Sequence, residues 1–373
     1  MTICFFSAQY LPTPGGVERY TWNLARRFTA AGHRALVVTA ALPGLPARET
    51  DEYGIEIYRL PSFPVMGGRF PVLKPWANAA DLWAQKIDFA VIQTRMYAQS
   101  IWAAQQCRRR GIPALVLDHS TGYMMHGGLP GWLGQRYEHF ACRRIARCGF
   151  DFYGVSADTC RWLRTFGIQA AGTLPNAVDP DELAQAAADE NRVDWRKTVP
   201  ADTRLAAFVG RLIPEKGALP LAQAVLSLPD WSLVIAGTGP QLDALQQLAQ
   251  QSGGRVVAPG ALPHAQIVQL LSQADCYCLP TLYAEGFPTT LLEAAACGCP
   301  IVCTHTAGTG ELLPGGDDAL FLSSADAAEI AAALQKTAAD PAAAKARGQR
   351  AKQTLLGRFT WQAVYKKLRS IVN

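Results

Sequence analysis

Short apolar runs rich in β-forming residues alternate with helical patterns twice along this chain, and that double alternation is the tightest constraint on its fold. In the first half the runs are residues 2–7 (TICFFS), 35–39 (ALVVT), 88–93 (DFAVIQ), 114–117 (ALVL) and 152–155 (FYGV). Between them lie helix-period stretches such as 17–31, stopped by Gly32, and 98–110, stopped by Gly111. Such repetition places the strands side by side in parallel, joined by right-handed crossovers. The pattern loosens over 174–199, a polar stretch with Pro and many acids, and then resumes at 205–209, 233–236, 256–258, 276–279, 301–303 and 319–322. The expected fold is α/β, with two doubly wound parallel-sheet domains facing a central cleft. The boundaries are 1–175, a linker at 176–199, and 200–356, followed by an amphipathic helix within 357–373.

At 373 residues the chain is too long for one comfortable core. Hydrophobic residues at 49% and charged residues at 17% place it among globular proteins. No apolar run reaches the roughly 18 residues a membrane-spanning helix needs. The opening MTICFFSAQYLP lacks a basic stretch and a small-residue cleavage site, so it reads as a first strand, and a cytoplasmic protein is expected. None of the ten cysteines has zinc-ribbon spacing, and they read as small buried hydrophobes. The net charge of +5 is uneven: residues 1–170 carry 19 Lys and Arg against 11 Asp and Glu. That basic half suits an anionic surface, and 132–148 (WLGQRYEHFACRRIARC) adds aromatic side chains, so contact with the inner face of a plasma membrane is an expectation.

Four segments carry chemistry. In 283–302 (YAEGFPTTLLEAAACGCPIV), Gly286 and Pro288 place Glu285 in a loop after a strand, and Glu293 falls on the helix that follows. The main-chain amides at Thr289, Thr290 and Leu291 then lie at a helix start, which favours phosphate. In 208–217 (FVGRLIPEKG), Arg211 and Lys216 project from the loop after a strand, where two cations can hold a diphosphate and neutralise a leaving group. In 13–18 (TPGGVE), Gly15 and Gly16 join the first strand to the first helix and let backbone approach a ligand. His119, in LDHS at 117–120, ends a strand and can hydrogen-bond a substrate group. The dinucleotide fingerprint G-x-G-x-x-G, a Walker loop, a His-Glu-x-x-His motif and nucleic-acid modules are all missing from the sequence.

Taken as a set, GGVE, His119, LPNAVD, GRLIPEKG, GTGP and EGFPTTLLEA resemble glycosyltransferase family 4, the retaining glycosyltransferases of the GT-B fold, over nearly the whole chain. The resemblance implies two Rossmann-like domains, with the final helix crossing back to the first. It implies that Glu293 binds the donor ribose, while Glu285, Gly286 and Phe287 meet the hydroxyls of the donor sugar. Pro288, Thr289, Thr290 and Leu291 complete the donor-binding segment. Arg211 and Lys216 would stabilise the diphosphate, Gly15 and Gly16 would close on the phosphates, and His119 would contact the sugar near its reacting carbon. The hinge reads Asn176-Ala177 where the family commonly has Asn-Gly, and 120–131 (STGYMMHGGLPG) is distinctive and reads as acceptor-facing.

The implied reaction moves a sugar from a nucleoside diphosphate, a UDP-sugar being favoured over a GDP-sugar. The acceptor is a glycan or a lipid-linked glycan, in bacterial surface polysaccharide or glycolipid synthesis. No cofactor, no metal and no nucleic acid is expected. His119, Arg211, Lys216 and Glu285 are the expected catalytic set. A nucleotide-sugar epimerase of the same fold and a non-catalytic nucleotide-sugar sensor are the alternatives.

Overall fold

The computed structural model describes every residue except Pro14, Asn78, His126, Glu190, Asn191, Ala284, Glu285, Ala307 and Asn373. The described residues divide into two compact units, 1–176 with 361–373, and 177–360. The stretch expected as a linker is folded onto the second unit instead. Asp179 caps a helix at Pro180–Ala187 by accepting the Asp181 and Glu182 amides. Further along, Trp195 is buried and its amide donates to Gln273 Oε1 at 2.9 Å. A polar composition hid a segment anchored by one tryptophan and several side-chain-to-backbone bonds.

In the first unit the strands are β1 (Thr2–Phe6), β2 (Arg34–Ala40), β3 (Arg48–Thr50), β4 (Glu56–Leu60), β5 (Ser62–Val65), β6 (Phe70–Leu73), β7 (Phe89–Gln93), β8 (Ala114–Asp118), β9 (Asp151–Gly154) and β10 (Gly172–Thr173). Eight of these described strands form one sheet in the order β10-β9-β8-β7-β1-β2-β4-β3, parallel except for β3. Strands β1, β7 and β8 are buried along their whole length, as apolar runs covered on both faces must be. Strands β3, β5 and β6 escaped the sequence reading because they are short or interrupted by Pro64 and Pro71, and β4 because Glu56 and Arg59 break its apolar run; β5 and β6 form a separate antiparallel hairpin. The helix Trp361–Val372 packs on the helix Gly16–Ala30, with Trp361 edge-on to Tyr20 at 5.1 Å and Tyr365 to Phe28 at 4.9 Å.

The second unit contains β11 (Arg204–Val209), β12 (Trp231–Ala236), β13 (Val256–Gly260), β14 (Cys276–Leu279), β15 (Ile301–Thr304) and β16 (Leu320–Leu322), in the order β13-β12-β11-β14-β15-β16 and parallel throughout. Alternate residues of β11 feed two cores: Leu205, Ala207 and Val209 on one face, Ala206 and Phe208 on the other. The strand order reverses between β1 and β7 in the first unit and between β11 and β14 in the second. At such a reversal neighbouring crossovers leave in opposite directions, opening a crevice at the carboxyl ends of the strands.

Glycines press the strand ends of the second unit together. A Cβ on Gly237 (φ +152) would stand 1.8 Å from the Gly210 carbonyl oxygen, and one on Gly217 (φ +72) would stand 2.4 Å from that of Pro280. Gly253 also has positive φ (+63) but faces open space. Gly237→Ala therefore lowers stability by at least about 2 kcal/mol in urea unfolding, whereas Gly253→Ala carries only the left-handed backbone penalty of about 1 kcal/mol.

Candidate active site

Arg211 and Lys216 leave the carboxyl end of β11, and Tyr283 leaves that of β14, so all three stand at the reversal of the second sheet. The turn Pro214–Lys216 is bound to the loop after β14. The Glu215 carbonyl accepts the Leu282 amide at 2.7 Å and the Thr281 hydroxyl at 3.3 Å, and Thr281 Oγ1 accepts the Tyr283 amide at 3.1 Å. This lacing puts the Arg211 guanidinium 4.6 Å and the Lys216 ammonium 5.5 Å from the centre of the Tyr283 ring. Arg211 is exposed, but Lys216 is buried. Burial, with a contribution from Arg211, lowers its pKa to about 8. An ammonium held out of water beside a guanidinium is relieved by an arriving anion.

Glu293 lies on the helix Thr289–Ala296, buried, with Oε1 2.9 Å from His264 Nε2. His264 opens the helix His264–Gln273 that follows β13. The start of Thr289–Ala296 has Pro288 at its cap and no side-chain hydrogen bond closing it. Within the expected donor segment, Phe287 and Leu291 turn their side chains into the core. A Cβ on Gly308 would sit 2.5 Å from the Phe287 ring, which also packs on Phe359 at 5.2 Å. These residues, with the buried Pro288, can meet a ligand only through their main chain. Thr289 is exposed, Gly286 is partly exposed, and the Thr290 hydroxyl accepts from Tyr277 at 2.7 Å. Glu285 lies outside the described residues. A pocket of 230 Å³ joins Arg211 and Gly210 to Gly237, Leu262 and Ile267, and so reaches the residues flanking His264.

In the first unit, Gly15 precedes the helix Gly16–Ala30, and a Cβ there would lie 2.0 Å from Glu18 Oε2. The Glu18 carboxylate thus folds back over the helix start and would have to swing away from any side chain at position 15; burial raises the pKa of Glu18. No such contact constrains Gly16. His119 follows β8, with Nε2 2.8 Å from Gln93 Oε1 and its ring edge-on to Tyr20 at 4.9 Å. An amide oxygen only accepts, so Nε2 carries the proton and Nδ1 is an acceptor. Burial pushes the imidazole down to about 3, which keeps it neutral at physiological pH.

Sequence reasoning missed the support beneath His119. Arg95 is fully buried, paired with Asp118 at 2.8 Å and Glu138 at 2.7 Å, both also fully buried, and it donates to Ser120. Glu138 Oε1 in turn accepts the Met124 amide at 2.8 Å, pinning the loop after His119. Thr94, between Gln93 and Arg95, holds φ +61, a strained conformation for a β-branched residue. These contacts span 14 to 43 residues and leave no local pattern. His264 had one faint signal, its place at a helix start just after a strand.

Two Rossmann-like units, one with a cation pair at the reversal of its sheet, define a GT-B protein. Residues 14–182 match Glycosyltransferase Family 4, and residues 189–354 match Glycosyl transferases group 1. Glycogen synthase of Mycobacterium tuberculosis (strain ATCC 25618 / H37Rv) is 27% identical over 401 residues, covering 98% of this chain and 92% of that protein. A GDP-mannose-dependent alpha-(1-6)-phosphatidylinositol monomannoside mannosyltransferase of Mycolicibacterium smegmatis is 29% identical over 262 residues, 66% of this chain and 68% of that one. Among solved structures, sucrose-phosphate synthase from Thermosynechococcus elongatus superposes with a TM-score of 0.77 at 22% identity, over 99% of this chain and 98% of that one. Anabaena HepE in complex with UDP gives 0.76 at 18% identity, over 100% and 99%. The chain belongs to glycosyltransferase family 4, and it is a glycosyltransferase.

The buried ammonium has a measurable consequence. A lysine whose pKa is depressed on folding destabilises the fold while it is charged, so stability rises as pH climbs from about 8 towards the usual lysine value. Without ligand, Lys216→Met raises stability by up to about 3 kcal/mol at pH 7. Denaturant midpoints followed from pH 7 to 10.5 show that gain shrinking to nothing.

Proposed function

We propose that this glycosyltransferase moves a sugar from a nucleoside diphosphate to a hydroxyl acceptor, with retention at the anomeric carbon and without a metal ion. The observation that carries the reading is the pairing of buried Lys216 with Arg211 on the Tyr283 ring. As the bond from C1 to the phosphate oxygen breaks, negative charge accumulates on the diphosphate. The two cations and the amides of Thr289, Thr290 and Leu291 stabilise that charge without reorganising. The acceptor oxygen attacks C1 from the face the phosphate leaves, and its proton passes to the departing phosphate oxygen.

Glu293, oriented by His264, accepts the ribose hydroxyls, and the pocket between Gly210 and Leu262 takes the base, a UDP-sugar being favoured. Gly286 and Phe287 meet the sugar through their main chain, and Glu285 keeps its sequence-derived role on the sugar hydroxyls. His119, neutral, accepts a sugar hydroxyl hydrogen bond at Nδ1. Gly16, with nothing crowding it, is the more open of the two glycines to a phosphate.

The acceptor is proposed to be a glycan or lipid-linked glycan of a bacterial surface polymer, met at an anionic membrane. The helix Gly128–Ala146 supports this by exposing Leu129, Trp132, Leu133 and Phe140 on a surface shared with exposed Arg136, Arg143 and Arg144. No helix of the described residues is long and apolar enough to cross a membrane.

Arg211→Ala, Lys216→Ala and Glu293→Ala each lower the rate of nucleotide release in the presence of acceptor at least tenfold, since one pre-organised donor supplies about 3–4 kcal/mol. Near-normal turnover in all three rejects the donor site. Separately, the protein floats with anionic vesicles at low salt and Trp132→Ser with Leu133→Ser reduces flotation; an absence of co-flotation removes the membrane part alone.

A further inference from the structure

Core packing does not explain where Tyr283 stands. Its side chain is half-buried, and among the described residues its hydroxyl makes no hydrogen bond and no second aromatic ring rests on it. What the ring faces is charge: the Arg211 guanidinium lies 4.6 Å and the Lys216 ammonium 5.5 Å from its centre. Contacts of this reach between a cation and a ring are attractive, and more so where water is excluded, as it is around buried Lys216.

The main chain sets these distances. Glu215 and Leu282, the residues just before Lys216 and Tyr283, are joined by the Leu282 amide donating to the Glu215 carbonyl at 2.7 Å. Just after the lysine, Gly217 lies so near Pro280 that a Cβ would stand 2.4 Å from that carbonyl oxygen. Buried Thr281 accepts the Tyr283 amide at Oγ1, and the Thr304 hydroxyl, at the end of β15, donates to the Thr281 carbonyl. Ring and ammonium therefore belong to one braced unit.

Burial and the Arg211 charge both favour loss of the Lys216 proton and bring the group down to about 8. Of the described charged groups, Arg211 is the one whose field acts on that proton; Glu215, next in sequence, is exposed. A neutral amine cannot offset charge on a diphosphate, and a repelled guanidinium is free to swing outward, Arg211 being exposed. The negative face of an aromatic ring opposes both outcomes, and it leaves N–H donors free for phosphate oxygens. We propose that Tyr283 is a positioning residue of the donor site: its ring holds Arg211 and Lys216 side by side and keeps the ammonium charged until a diphosphate arrives. The inference rests on the transferase reading and adds to it a residue that acts through the two cations.

The test uses the full chain with Tyr283→Phe as reference and, by codon suppression, the 4-fluoro, 3,5-difluoro and 3,4,5-trifluoro forms of that phenylalanine. Fluorine drains the negative face of the ring and barely alters its shape, so a ring that only fills space gives a flat series. Lysines labelled with carbon-13 at Cε are titrated by NMR without ligand, and Lys216→Met removes the Lys216 signal and so assigns it. Along the series the Lys216 midpoint moves down by at least about half a pH unit, as when a contact favouring the charged form weakens about threefold. The affinity for UDP or GDP, whichever binds more tightly, falls at least about twofold at pH 8.5 and by less at pH 7, since the ammonium is the form that holds the diphosphate. A midpoint that stays put, or an affinity loss equal at the two pH values, overturns the role of the ring. The donor reading is judged apart from it: Arg211→Ala and Glu293→Ala that keep full nucleotide affinity defeat the donor site, whereas a flat fluorine series beside loss of affinity in those two variants leaves the donor site standing and Tyr283 without this role.

Discussion

The close approach of three strand ends in the second unit is what gives this protein its chemistry. The Gly210 carbonyl lies where a side chain on Gly237 would begin, and the Pro280 carbonyl where one on Gly217 would begin. Because β11, β12 and β14 are pressed so tightly, the loop carrying Arg211 and Lys216 is laced to the loop carrying Tyr283 by the main-chain bond from Leu282 to Glu215 and by the buried Thr281 hydroxyl. The ammonium is thereby removed from water and set beside another cation. In a looser turn both charges would be hydrated and independent, and neither would gain from an arriving diphosphate.

The first unit solves a different problem with the same architecture. Beside its reversal point, at the end of β8, it presents a neutral histidine. Gln93 sets the tautomer, Tyr20 desolvates the ring, and a buried arginine with two carboxylates holds the loop beyond it. A buried ion triad is a poor source of stability compared with an apolar core, but breaking one member is costly, so it holds one loop geometry firmly. The strained Thr94 stands at the join between the histidine's partner and that triad, where strain persists only because its neighbours over-determine it.

Much of the fold was legible because parallel strands buried on both faces must be apolar runs, and helix stops at Gly32 and Gly111 are local features. The cation pair was legible for a related reason: Arg211 and Lys216 sit within one strand-to-helix loop, where spacing and topology meet. What could not be read depends on contacts distant in sequence. Arg95 looked like one more arginine in a basic half, yet it is fully buried. The hairpin β5–β6, broken by prolines, carries no strand signature, and the segment after Asn176 looked like a linker because its anchor, Trp195, is a single residue.

The most direct measurement is a crystal structure of the protein with UDP bound. The account predicts diphosphate oxygens within hydrogen-bond distance of the Arg211 guanidinium, the Lys216 ammonium and the first amides of Thr289–Ala296, with the ribose on Glu293. A well-ordered nucleotide whose phosphates touch neither cation would contradict it.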